Sequence, residues 1–433
     1  MDEPNKSSDT NESSLLPLET RFGALLNISA ESLVSLITDV RRKLTTDKFT
    51  TASIIKRIEG AHNLIHIAEF NDKLRYVVRL PFSGCHDRFT ETAKRALISK
   101  VKMMQFIKKR TMIPMPEVYD YDASFDNTIK APYVVESFIQ GTPIFDAWFN
   151  NSDLMPLEER RLRILDSVAE AMAQLRGFNF DEIGSVEVDD QGHRLIHPCY
   201  SYKVSDKDMW YEESGPYEST VGYLRARLAE QHSGTGKKDE SLEFGCRMFL
   251  DMMISCLPRS TNRNSDDHET FVLAVPQFDS INILVDDQCH VTGFINWDGV
   301  QTMPRFLGYA IFPSWITRDL DPLVYNYPGD AHEDSPDLLK RYRLLYNRKM
   351  QGLLRGVADA RFVNKTHIFE AICVAVTNPI TRMEIVRTLV AKAFPASLDG
   401  ALRLMVKAGE GNLLRRDKER LMGGFEALLS VHF

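Results

Sequence analysis

Residues 271 to 299 read FVLAVPQFDSINILVDDQCHVTGFINWDG, and this stretch limits the fold of the chain more tightly than its other segments. INILVDD and HVTGFINW are short apolar runs parted by a turn near Asp287 and Gln288, a pattern that predicts two short strands. Most of the chain after about Ser335 reads as helical, so these strands should sit in a helical surround.

Upstream, the pattern turns helical from Ser29, with Leu33, Leu36 and Ile37 on one face, and breaks at Thr45 to Lys48. HNLIHIAEF and KLRYVVRLP flank Asn71 and Asp72 and predict a β-hairpin. A helix is expected from about Thr90 to Lys109, with Pro114 and Pro116 stopping it. APYVVESFIQG, residues 131 to 141, reads as a buried strand running into a connector broken by Gly141 and Pro143. Leu162, Leu165, Val168, Ala169, Met172 and Leu175 recur at helical spacing and predict a long core helix. HSGTGKKDES, residues 232 to 241, is a loop by composition. Residues 1 to 16 offer almost nothing to bury and should form a disordered tail. The expectation is an α+β chain with a small β-rich lobe, 17–140, before a larger, mainly helical lobe, 141–433. A length of 433 residues suits two packed lobes better than one core.

Composition narrows the function. A formal net charge of -7 argues against a general nucleic-acid binder. The six cysteines form neither a C-x-x-C pair nor a pattern with paired histidines, so reduced thiols are expected rather than zinc. MDEPNKSSDTNESS lacks the basic start and apolar core of a signal peptide, and no apolar run approaches the roughly 20 residues that span a bilayer. Cytoplasmic residence, without a membrane or nucleic-acid partner, is the expectation.

The order of elements and the motifs of residues 50 to 330 resemble the aminoglycoside phosphotransferase and choline kinase-like family, in the branch common in filamentous fungi. The resemblance implies a two-lobed, protein-kinase-like fold, with ATP under a glycine-containing hairpin and Mg2+ between the lobes. On that resemblance, EGAHN supplies Gly60 and Asn63 at the nucleotide loop, and Arg79 in YVVRLP stands where the phosphate-holding Lys or Arg lies. Glu136 and Phe138 are carried as further cofactor-binding positions. Where relatives place a carboxylate on the following helix, this chain has Lys100. Facing Arg79 at about 4 Å it would repel by about 4 kcal/mol at an effective dielectric of 20, so the two should avoid that geometry or Lys100 should face solvent.

Relatives read approximately L-x-H-x-D-x-x-x-x-N-I-L-V-D and then G-I-I-D-W. Here Leu273, Asn282, Ile283, Leu284, Val285 and Asp286 keep the framework, as do Gly293, Phe294, Ile295 and Trp297. The His, the catalytic base and one metal-binding Asp become Val275, Gln277 and Asn296. Glutamine accepts a hydrogen bond but takes no proton at neutral pH, which costs roughly 10²- to 10⁴-fold where a general base is needed. Asn296 offers magnesium a carbonyl oxygen without charge, and Asn282 adds none. Asp279, Asp286, Asp287 and Asp298 are the nearest carboxylates, with Asp279 a possible substitute base. Two readings follow: an impaired phosphotransferase-like protein holding a nucleotide, metabolite or protein in its cleft, or an active small-molecule O-phosphotransferase with a rearranged site. ATP is the implied cofactor, with Mg2+ weakened, and the acceptor or protein partner is left open.

Other features have plain alternatives. Tyr217 in SGPYEST could line a substrate cleft or belong to a turn organised by Gly215 and Pro216. Trp210 and Tyr211 read as lobe packing, His193 and His197 as loop histidines, and the acidic residues Asp319 and Asp321 as a charged loop or an attraction for a cationic acceptor.

Overall fold

A computed structural model describes residues 16–46, 51–150, 155–189, 191–205, 208–230, 240–262, 268–275, 277–394 and 398–431. The expected tail, apart from Leu16, and nearly all of the expected loop at 232–241 lie outside these residues.

The described residues open with a short helix, α1 (Leu18–Phe22), and an amphipathic helix, α2 (Ala30–Leu44). Ser29 caps α2 by accepting from the Ser32 amide, and Leu33, Leu36, Ile37 and Val40 form its buried stripe. Five antiparallel strands follow: β1 (Ala52–Glu59), β2 (Asn63–Phe70), β3 (Arg75–Pro81), β4 (Val118–Asp122) and β5 (Tyr133–Ser137). They lie in the order β1-β2-β3-β5-β4. β2 and β3 are the hairpin expected around Asn71 and Asp72, in a register that sets Ile65 opposite Arg79. β1 and β4 were not legible as strands, because both lie at sheet edges and carry many charged or half-exposed residues. Between β3 and β4 runs α3 (Glu91–Arg110), capped by Thr90, with Leu97, Val101, Met104 and Ile107 buried.

Past the connector, β6 (Thr142–Pro143) leads into α4 (Ile144–Phe149) and the core helix α5 (Leu157–Met172). Two hairpins that the sequence reading did not anticipate come next: β7 (Ser185–Val188) with β8 (Arg194–His197), then β9 (Cys199–Val204) with β10 (Met209–Ser214). Helices α6 (Thr220–Glu230) and α7 (Glu240–Ser255) precede β11 (Phe271–Ala274), β12 (Ile283–Val285), β13 (Val291–Phe294) and β14 (Gln301–Pro304). β12 and β13 are the expected short pair, with β6 added to β12, while β11 pairs with β14. The remainder is helical: α8 (Pro336–Leu353), α9 (Thr366–Thr377), α10 (Arg382–Ala393), α11 (Leu398–Gly409) and α12 (Arg415–Leu429). An antiparallel five-stranded sheet followed by a mostly helical part is the two-lobed, kinase-like arrangement that the resemblance implied.

The β9–β10 hairpin crosses between the parts. It leaves the helical region, yet Met209 is buried in the core beneath the five-stranded sheet, and Tyr202, Val204 and Tyr211 pack against the same core. The Tyr211 ring lies 5.2 Å from that of Phe82. Two ion pairs fix the hairpin's outer edge, Arg88 with Asp208 at 3.3 Å and Arg95 with Glu213 at 3.1 Å. Trp210 is 40% exposed, so of the two neighbouring aromatics Tyr211 does the packing. Tyr217 is partly buried against the larger core, bridges Ile183 through its backbone and meets Tyr223 edge-on at 5.4 Å. It is a packing residue rather than part of a surface turn.

Candidate active site

After β11 the chain turns through Gln277, whose φ of 47° puts a non-glycine residue in the left-handed region. Asp279 then caps a helical turn over Ser280–Asn282 by accepting from the Ile281 amide at 3.2 Å. Its other oxygen takes the Ser314 hydroxyl at 2.5 Å. With both oxygens engaged, Asp279 is held as a cap and is not poised as a substitute base. β12 and β13 return the chain so that the Ile295 amide donates to the Asn282 carbonyl at 2.9 Å, bringing the two ends of the stretch together.

Gln277, Asn282 and Asn296 do converge. The Asn282 side-chain nitrogen donates to the Gln277 carbonyl at 3.1 Å, and the Asn296 nitrogen donates to Gln277 Oε1 at 2.6 Å. Asn296 Oδ1 accepts from the Asp298 amide at 3.3 Å. The amide at the base position and the amide at the metal-binding position are thus each other's partners. Where carboxylates would repel across this gap until a cation entered, an amide offers both donor and acceptor and closes it without one.

The other wall comes from the smaller lobe. Arg79 donates from Nε to Glu136 Oε2 at 2.8 Å, and from a terminal nitrogen to the Ile295 carbonyl. Glu136 is 2% exposed and occupied by this pair, so it is a structural partner of Arg79 rather than a residue facing a cofactor. The Arg75 guanidinium lies 5.3 Å over the ring of Phe138. Gly60 forms the β1–β2 turn, its amide bonded to the Asn63 carbonyl at 3.0 Å and its own carbonyl accepting from Arg21 at 2.8 Å.

Lys100 does not face solvent, and its ammonium is directed to a different carboxylate from the one Arg79 bonds. It is buried, and its ammonium lies 2.6 Å from Asp298 Oδ1. The expected repulsion from Arg79 is removed because each cation has its own carboxylate, Glu136 for Arg79 and Asp298 for Lys100. Asn63 completes the group by donating to Asp298 Oδ2 at 2.6 Å. Burial alone would raise the Asp298 carboxyl, but the Lys100 ammonium and then the Arg79 guanidinium bring it well below the usual carboxylate range. Burial lowers neighbouring His62, with Asp298 opposing that shift, and its ring lies tilted with its centroid 4.0 Å from that of Tyr202 of the β9–β10 hairpin.

Magnesium does not fit these donors. Asn282 and Asn296 are neutral and turn their nitrogens toward Gln277, while Asp298 is already taken by Lys100. Among the described residues there is no group of three or more His, Cys, Asp or Glu that could hold a metal ion. In front of Gln277 lies an open cleft of about 680 Å³, lined among others by Tyr200, Tyr202, Tyr211, Tyr223 and Gln301. Its Arg227 is paired with Glu230 at 2.6 Å. Elsewhere, Asp319 bonds Arg343 at 2.6 Å, His193 pairs with Asp189 at 2.8 Å, and His197 lies 3.2 Å from Glu187.

Asp298 and the β9–β10 hairpin are the parts of the site that sequence reasoning missed. A usable signal existed in each case. A lysine replacing an expected carboxylate calls for a compensating acid, and Asp298 stood two residues from a lost one; in the hairpin, aromatic residues alternate along CYSYKV.

No family model matches the chain. Similar curated proteins include yeast proteins named altered inheritance of mitochondria protein 9, mitochondrial. The Komagataella phaffii protein is 20% identical over 348 residues, covering 70% of this chain and 55% of that protein. The Candida albicans protein is 27% identical over 150 residues, covering 34% and 23%. The chain spans about half the length of the curated relatives that it matches over most of its own length. Similar solved structures include an aminoglycoside phosphotransferase in ternary complex with AMP-PNP and hygromycin B, at TM-score 0.41 and 15% identity over 83% of this chain and 95% of that one. A macrolide 2'-phosphotransferase from Brachybacterium faecium gives TM-score 0.40 and 13% identity over 86% and 97%. What the cleft can do is decided by its own residues.

Proposed function

We propose that this chain is a kinase-like protein of the small-molecule phosphotransferase type in which phosphoryl transfer is impaired or lost, and whose open cleft serves as a binding site. The observation that carries the proposal is the hydrogen bond from Asn296 to Gln277, which joins the positions of the metal ligand and the base through neutral groups. Transfer to a hydroxyl needs an oriented nucleophile and cations to neutralise phosphate charge. Gln277 can orient a hydroxyl but not deprotonate it, and the neighbouring groups do not recruit the cation.

The tyrosines and amides in front of Gln277 favour a polar small molecule with faces that stack on aromatic rings. A protein segment is the other class of occupant this reading admits. We keep cytoplasmic residence within the proposal; imaging a tagged chain against a mitochondrial marker tests it, since the yeast relatives bear a mitochondrial designation.

The test of impaired catalysis is a γ-phosphate transfer and ATP hydrolysis assay on the purified chain with Mg2+ and a panel of hydroxyl acceptors. Background rates are expected. Turnover at ordinary enzyme rates that disappears in Asn296→Ala would overturn the proposal.

A further inference from the structure

Two elements of the smaller lobe aim donor groups at one point, and a third sets a cation within electrostatic reach of it. Asn63 comes from β2, Arg79 from β3 and Lys100 from α3, and a convergence of amide, guanidinium and ammonium is the chemistry of an anion site. At that point stands a carboxylate of the same chain. Asp298, from the loop after β13, gives one oxygen to Lys100 and the other to Asn63, each at 2.6 Å. Arg79 adds its field to the same carboxylate while bonding Glu136. The side chains of Lys100 and Asp298 are 9% and 17% exposed, so the contact is sheltered from water.

We propose that Asp298 acts as a built-in anion: it fills a site for a phosphate-type anion and, in filling it, locks the nucleotide-side hairpin and α3 to the larger lobe. The proposal leans on the reading of the cleft above only for where a phosphate would lie. A carboxylate suits this role because its two oxygens satisfy two donors at once, as two oxygens of a phosphate would. Its charge also neutralises Lys100, which would otherwise be a buried cation in need of a counterion. An external polyphosphate must therefore displace a tethered competitor, whose effective concentration is high because it belongs to the same chain.

The test is calorimetric titration of the full chain with sodium pyrophosphate in the presence of EDTA, for the wild type and for Asp298→Asn. The substitution preserves shape and removes the internal anion, and the folded variant is expected to bind pyrophosphate at least about tenfold more tightly than the wild type. In the double variant Asp298→Asn with Lys100→Gln, the gain should disappear. Equal affinity in wild type and Asp298→Asn, or no gain in a variant whose circular dichroism is unchanged, would overturn the proposal.

Should Asp298→Asn not fold, Asn63→Ala releases only the hairpin arm. Faster amide hydrogen exchange at residues 60 to 63 is then expected, and unchanged exchange would overturn the lock. The outcomes separate the two readings. Tight pyrophosphate binding by a wild type that turns over no ATP refutes the lock alone, whereas metal-dependent turnover refutes the loss of catalysis.

Discussion

The Lys100–Asp298 pair can be measured as a double-mutant cycle, using Lys100→Met, Asp298→Asn and the two together. At a separation of 2.6 Å the attraction is about 6 kcal/mol at an effective dielectric of 20. Desolvation of two nearly buried ions takes back a large part of that. Asp298 also keeps its Asn63 donor when Lys100 is removed, which softens the single substitution. The expected coupling energy is therefore about 2 to 3 kcal/mol, and Lys100→Met alone should cost about 3 kcal/mol because it leaves a largely sheltered carboxylate without its paired ammonium. Urea unfolding followed by tryptophan fluorescence gives these values. Asp298 lies beside buried Trp297, so local release is visible as well as global unfolding. The coupling should persist in 0.5 M salt, since buried pairs are poorly screened, with ~0.5 M far above the range in which exposed pairs survive. Free energies that add to within about 0.5 kcal/mol would refute the reasoning, because the pair would then be no more than two neighbours.

Three further outcomes are expected. Replacing both Gln277 and Asn296 by aspartate turns a hydrogen-bonded amide pair into facing carboxylates; the variant should melt lower than the wild type without metal and regain stability with Mg2+, a response scanning fluorimetry should not find in the wild type. Burial pushes the Glu370 carboxyl on α9 from its ordinary 4.5 up to about 8, so the folded chain keeps a proton that the unfolded chain releases; stability should fall as pH rises from about 4.5 to about 8, and Glu370→Gln should flatten the trend in urea midpoints. A Cβ on Gly245 of α7 would collide with the Met405 carbonyl of α11, and one on Gly409 with the Ser241 carbonyl; Gly245→Ala should cost about 2 to 4 kcal/mol by chemical unfolding, as overpacking against rigid backbone.

Local patterns were legible and distant pairings were not. The β2–β3 hairpin, α3, α5 and the short strands after Ser280 each announce themselves through periodicity and a bounding turn within a few residues. Lys100 and Asp298 stand 198 positions apart, and nothing in either neighbourhood specifies the other. Reading Lys100 only against Arg79 gave a repulsion, because the two carboxylates that separate the cations arrive from β5 and from the loop after β13. The amides at Gln277 and Asn296 are visible in the sequence, but not that the two satisfy one another. That depends on β12 and β13 returning Asn296 to the turn at Gln277. The strands of residues 185 to 214 escaped notice because they are short and carry exposed charge. Trp210 and Tyr211 looked like isolated aromatics until Met209 placed them on a hairpin with one face in a foreign core.

That hairpin bears on how the protein can be handled and how it could have evolved. A chain with two lobes invites cutting at its connector, near Gly141, to obtain two independently expressible halves. Here the cut would deprive the N-terminal half of Met209, Tyr202 and Tyr211, which close its core, and would leave those side chains bare on the other half. The lobes are therefore not modules that could be shuffled or produced separately. They should unfold in one step, and a gene encoding either alone should yield an aggregating fragment.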